Sequence, residues 1–141
     1  MWVWGLGVQG GGVSIELGCY PFQFAMLAFG SDEPESIAAA GNLSSRGVDL
    51  TAAVGLKWAP PRHSAGEAAG RGGAGGRAAS LYWSFEVPTQ EEAVFVGTGG
   101  RIRVNGPAHS PDRLTVTTVA TERFQPENVV ELTFPLPEPP P

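Results

Sequence analysis

Ala79-Ser80-Leu81-Tyr82-Trp83-Ser84-Phe85-Glu86-Val87 alternates apolar and polar residues without a break. Successive side chains of a strand point to opposite faces. The run therefore offers Ala79, Leu81, Trp83, Phe85 and Val87 to a core, and Ser80, Tyr82, Ser84 and Glu86 away from it. Ala52, Val54, Leu56 and Trp58 alternate in the same way with Ala53, Gly55 and Lys57. Weaker extended segments fall near 36–43, 91–96, 101–105, 113–120 and 129–134. Thr98-Gly99-Gly100 separates Phe95-Val96 from Ile102-Val104 and reads as a tight hairpin turn, because glycine supplies the positive φ angles such turns need. Strands joined this way form an antiparallel meander. Its second face, with Tyr82, Ser84, Thr115 and Thr117, is expected to meet solvent or another subunit.

Upstream the period changes. Residues 12–29 read as one helix, with Val13, Leu17, Phe24, Leu27 and Ala28 recurring at helical spacing. Pro21 lacks an amide donor and should kink this helix near Leu17, and Gly30 is placed to stop it. Glu16 and Tyr20 lie four residues apart, one face of a continuous helix, with Gln23 following. Polar groups in a row on an apolar helix meet a substrate or a partner domain. The predicted class is α+β: a mostly antiparallel open sheet with a helix packed on one face.

Composition narrows the function classes. The 141 residues suit one domain, and 42% hydrophobic content supports a core. A net charge of −5 argues against nucleic acid and against an anionic membrane as partner. No apolar run is long enough to span a bilayer, and the N-terminus lacks the basic region of a signal peptide. The single cysteine, Cys19, cannot close an intrachain disulfide, which fits a reducing, cytoplasmic location. Residues 60–78, rich in Gly, Ala and Arg, read as a flexible insertion between two paired strands. Pro135 to Pro141 cannot extend a central strand.

Other motifs weigh little. Gly5-Leu6-Gly7-Val8-Gln9-Gly10 matches the spacing of a dinucleotide fingerprint, but only four residues precede it, too few for the strand the fingerprint requires. Gly97-Thr98-Gly99-Gly100 runs into the strand-like Arg101-Ile102-Arg103-Val104 and is no phosphate loop. His63, His109 and Cys19 make no metal-ligand spacing. Arg101 and Arg103 share a strand face and are placed to pair with carboxylates.

Taken together, GGGVSIELGCYPFQFAMLAFG at 10–30, GVDLTAAVGLKW at 47–58, AASLYWSFEVPTQEEAVFVGTGGRIRV at 78–104 and His109-Ser110-Pro111 before Leu114-Thr115-Val116 resemble, in order, the C-terminal domain of the Gfo/Idh/MocA oxidoreductases. The dihydrodiol dehydrogenase and NADP-dependent D-xylose dehydrogenase branches are the nearest in look. The resemblance implies a substrate and dimerisation domain over 10–134, a glycine-rich leader at 1–9 and a proline-rich tail at 135–141. It implies that the Rossmann domain, the Glu-Lys-Pro segment with its catalytic lysine and the closing helix lie outside this chain. NADP or NAD would serve the whole enzyme, with none bound by this chain alone.

The family's Asp-x-Gly-x-Tyr pattern is matched here by Glu16, Gly18 and Tyr20. The resemblance assigns Tyr20 as the general acid/base and Glu16 as a substrate contact, with glutamate in place of the usual aspartate. A phenol ordinarily titrates near pH ~10, so its use near neutrality calls for a neighbouring cation. The implied function is the substrate side of an oxidoreductase that moves a hydride between NADP and a carbinol of a sugar or dihydrodiol, in a homodimer formed through the sheet. The alternative is a non-catalytic dimerisation or interaction module.

Overall fold

The computed structural model describes residues 11–60, 76–119 and 127–135. The elements in chain order are α1 (Val13–Glu16), α2 (Cys19–Phe29), β1 (Ser36–Leu43), β2 (Asp49–Trp58), β3 (Arg77–Ser84), β4 (Ala93–Gly97), β5 (Gly100–Val104), β6 (Arg113–Thr118) and β7 (Asn128–Thr133). The class is α+β, and every strand pair is antiparallel. The strands divide between two sheets, β1-β2-β3 and β4-β5-β6-β7. They lie in two compact units, Met1–Thr89 and Gln90–Pro141.

In the first unit the helices cover β2 and β3. Val13, Ala25, Val54, Leu56, Trp58, Leu81 and Trp83 form the core, with Leu17, Phe29, Ala52 and Ala79 packed at its border. The alternation of β2 is reproduced residue by residue, with Val54, Leu56 and Trp58 buried and Ala53, Gly55 and Lys57 exposed. The two core tryptophans also fix the helical segment. Trp83 Nε1 donates to Ser14 Oγ at 3.0 Å, and its ring meets Phe22 at 5.4 Å. Trp58 Nε1 donates to the Asp32 carbonyl at 2.9 Å, and its ring meets Phe29 at 4.7 Å. Each indole buries its ring and still satisfies its donor.

The expected single helix is two. Pro21 cannot donate to Leu17, so the ladder fails there. Leu17 and Gly18 form a turn, and the Tyr20 amide reaches the Leu17 carbonyl by a shorter loop at 3.2 Å. Gly18 permits the tight bend, because a Cβ there would collide with the Ser14 carbonyl oxygen. At the far end Gly30 takes φ 81° and donates to the Met26 carbonyl at 2.8 Å. That is the glycine stop the sequence suggested.

One irregularity turns a functional group inward. The register Asn42↔Thr51 is followed by Leu43↔Asp49, so β2 carries Leu50 as an extra residue. A bulge of one residue reverses which face the following side chains take. Without it Asp49 would share the outer face with Thr51. With it, Asp49 turns toward α1 and accepts the Ser14 amide at 2.7 Å. The Ser14 hydroxyl, then burial acting in the opposite sense, then the Ser14 amide set its acidity, and the net effect holds the carboxyl below its usual range. Arg77 closes the other end. It donates to the carbonyls of Phe29 (3.1 Å) and Ala59 (3.2 Å), tying α2 to the base of the insertion. Most of the insertion, 61–75, lies outside the described residues, as do the leader and Leu136 onward.

In the second unit Gly97 pairs with Gly100 across Thr98-Gly99, the tight hairpin read from the sequence. Phe95, Ile102, Val116 and Val130 form one row across the sheet, and Ala93, Val104, Leu114 and Leu132 another on the same face. The opposite face carries Arg101 and Arg103, which pair with Glu127 at 2.9 Å and Glu92 at 3.5 Å.

Two expectations about the wet face are corrected. Ser84 and Thr117 are buried, whereas Tyr82 is exposed as anticipated. β3 ends at Ser84, whose hydroxyl bonds Thr51 Oγ1 at 2.7 Å and accepts the amides of Glu86 and Val87 in a turn. The chain therefore leaves the strand before Phe85 and Val87, which are exposed rather than in the core row.

Two outcomes follow for this unit. Asp49→Ala should lower unfolding stability by about 1–2 kcal/mol through loss of the cap on α1. The wild-type contribution is fully present above the unfolded carboxyl pKa and fades as pH falls through the lowered folded value. Denaturant melts of the two proteins should therefore differ at neutral pH and converge at acid pH, and a constant gap would refute the assignment. Gly18→Ala, despite alanine's better helix propensity, should destabilise by about 1–3 kcal/mol, because the Ser14 carbonyl must move. A rise in melting temperature would show that the bend relaxes freely.

Candidate functional site

The bend between the helices carries the predicted site. Glu16 is the last residue of α1, and Tyr20 is the second residue of α2. The helix break at Leu17-Gly18 falls between them, so they do not occupy successive turns of one continuous helix. Both are exposed, Tyr20 by 47%. Gly18 supplies the close approach that lets the two short helices meet. The Glu-x-Gly-x-Tyr spacing is thus a local architecture: an acid closing one helix, a glycine at the bend and a phenol opening the next. The Glu16 carbonyl also accepts the Cys19 thiol at 3.7 Å.

Beneath this surface lies a support that is partly buried. Val13 is fully buried, and Ser14 joins the Trp83 indole to the Asp49 carboxylate. Asp49, Ser14 and Trp83 therefore set where α1 sits and hence where Glu16 emerges. The sequence reading had Trp83 in the core but missed Asp49 and Ser14. Their signal is a contact between residues 35 apart, made through a bulge.

The cation a catalytic phenol requires is not supplied by the chain's one lysine. Lys57 lies on the outer face of β2 and pairs with Glu35 at 3.2 Å. Among the described residues no group of three His, Cys, Asp or Glu side chains could hold a metal. His109 faces Glu91 at 3.5 Å in the second unit, Cys19 is exposed beside Glu16, and His63 lies outside the described residues. The described residues also do not fit a dinucleotide. Both sheets are antiparallel, whereas a dinucleotide crevice is built at the strand ends of a parallel βαβ sheet. The glycines at 5–10 lie outside the described residues. A shallow depression of about 230 Å³ lies over Val94, Arg101, Arg103, Thr115, Thr117 and Val129, with both guanidinium groups already engaged by carboxylates. No helix among the described residues is long and apolar enough to cross a membrane.

No family model matches the chain. Comparison with individual proteins is more informative. The chain is 33% identical over 132 residues to trans-1,2-dihydrobenzene-1,2-diol dehydrogenase of Danio rerio, a match that covers 92% of this chain and 31% of that protein. The Xenopus laevis protein of the same name is 27% identical over 125 residues, covering 89% and 33%. The Homo sapiens protein is 30% identical over 108 residues, covering 77% and 28%. The chain thus spans about a third of the length of the relatives it matches. Over most of its length, and in an α+β antiparallel architecture, the chain is thus similar to one portion of the trans-1,2-dihydrobenzene-1,2-diol dehydrogenases.

Proposed function

We propose that this chain is the substrate-side portion of an NADP-dependent oxidoreductase acting on a diol or sugar hydroxyl, and that it works as a homodimer formed through its sheets in the cytoplasm. The observation that carries this reading is the exposed Glu16–Gly18–Tyr20 bend, held from below by Ser14, Asp49 and Trp83. Removing a hydride from a carbinol carbon leaves the hydroxyl proton to be taken up by a base. Tyr20 presents a phenol oxygen at the surface for that exchange, and Glu16 offers a carboxylate to a neighbouring hydroxyl of the substrate. A nicotinamide dinucleotide would accept the hydride, and it would be held by protein outside the described residues.

The second reading is a dimerisation or interaction module without catalysis. It draws support from the exposed apolar side chains of α2 and of the second sheet, Met26, Leu27, Val130 and Leu132 among them.

Two titrations separate the readings. Trans-1,2-dihydrobenzene-1,2-diol, followed by proton NMR, should give saturable shifts. Tyr20→Phe and Glu16→Gln should each weaken them roughly three- to tenfold, the worth of one hydrogen bond. Binding that ignores both substitutions, or no binding, would leave the interaction module. NADPH, followed by quenching of the four tryptophans, should show no saturable binding up to millimolar levels. Micromolar saturation would mean that this chain holds a dinucleotide after all.

A further inference from the structure

α2 carries an amide that the proposed site leaves unused. None of its residues, Cys19–Phe29, is charged. The face that a surface helix turns to water ordinarily carries charges. Here Ala25 marks the buried side, and Tyr20, Gln23 and Leu27 are exposed on the other. The side-chain amide of Gln23 bonds no other described residue. A mostly apolar surface holding a few placed polar groups is the make-up of a ligand site more than of a solvated face. Residues three apart on a helix are neighbours, so α2 itself fixes Gln23 beside Tyr20. Glu16 lacks that tie, because the break at Leu17-Gly18 separates it from Tyr20. Tyr20 is thereby flanked by a carboxylate before it and an amide one turn after it.

The two substrate chemistries of the proposed reading differ at one place. In a dihydrodiol, the reacting carbinol carbon has a hydroxyl-bearing carbon on one side and an apolar ring carbon on the other. In a cyclic sugar oxidised at its anomeric carbon, there is oxygen on both sides: the hydroxyl of the next carbon and the ring oxygen. With Tyr20 at the reacting hydroxyl and Glu16 at the neighbouring one, we propose that Gln23 meets the second flanking oxygen and so makes the site favour a sugar over a dihydrodiol. The amide suits that place. Its NH2 group donates to a ring oxygen, which has no proton to give, and its carbonyl accepts from a hydroxyl. An ionised carboxylate could only accept. Against a dihydrodiol the same amide faces apolar carbon and gains no hydrogen bond. The inference rests on the proposed reading of Glu16 and Tyr20 as the substrate side, and it adds the residue that tells the two substrate classes apart.

Proton-NMR titration of the full chain with D-xylose and, separately, with trans-1,2-dihydrobenzene-1,2-diol tests it. Gln23→Ala should raise the dissociation constant for D-xylose about three- to tenfold, the worth of one hydrogen bond, and leave that for the diol within about twofold. Gln23→Glu keeps the length of the side chain and its acceptor oxygens but has no donor when ionised, so it should weaken D-xylose binding as alanine does. Both variants should melt as the parent does, because Gln23 is exposed and both replacements suit a helix. Weakening of both ligands alike would make Gln23 a general contact and overturn its part in specificity. Binding of both ligands that responds to Tyr20→Phe and ignores Gln23→Ala would overturn the assignment of Gln23 and leave the proposed site standing. A parent chain that binds neither ligand would overturn both.

Discussion

The docking of two short helices onto β2 and β3 is the constraint from which the first unit follows. A three-stranded sheet has too little area to bury a face by itself, and it is stabilised by what covers it. Here the cover is held at both ends by indoles that bury their rings while their N–H groups reach Ser14 and the Asp32 carbonyl. These two points fix where α1 begins and where the chain leaves α2. A segment so pinned must bend between them, and Pro21 with Gly18 provides the bend at small cost: a missing donor and a missing Cβ three residues apart.

That bend gives the candidate site its form. On a continuous helix, an acid and a phenol four residues apart would stack on one face. The broken ladder instead puts Glu16 at a helix end and Tyr20 at a helix start, both directed to the surface. Their placement depends on Asp49, whose carboxylate takes the Ser14 amide at the start of a helix too short to satisfy its own donors. A half-buried structural network thus underlies an exposed pair, a division suited to a site that must stay open to a ligand while its base remains rigid.

Most of the fold was legible because strand periodicity is a local signal. The alternation of β2, the hairpin at Gly97 and Gly100 and the stop at Gly30 each depend on a few neighbouring residues, and each is where the sequence put it. The misses share the opposite character. Leu50 is an ordinary residue, and only its partner strand makes it a bulge. Asp49 lies ahead of the alternation read from Ala52 onward, and the bulge turns it to the helix face. Ser84 and Thr117 look like wet-face hydroxyls by period, but one closes a turn through three hydrogen bonds and both are covered. Of the site, residue types and spacing were readable. Its support was not, because that support is assembled by contacts far apart in the chain.

The exposed apolar surface has a structural logic of its own. Ile15, Met26 and Leu27 are exposed on the helices, while Ile37 and Leu43 are exposed on β1. Full burial of such a side chain is worth roughly 1.5–3 kcal/mol relative to exposure. A domain's whole stability is about 5–15 kcal/mol, so a handful of uncovered residues is a large fraction of it. The two groups differ in what would cover them. A helix has already satisfied its backbone, so its outer face asks only for apolar contact. An edge strand has not, and it also presents amides and carbonyls that only another strand can pair. The exposed strand edge therefore leaves two demands unmet, apolar and polar, where the helix face leaves one.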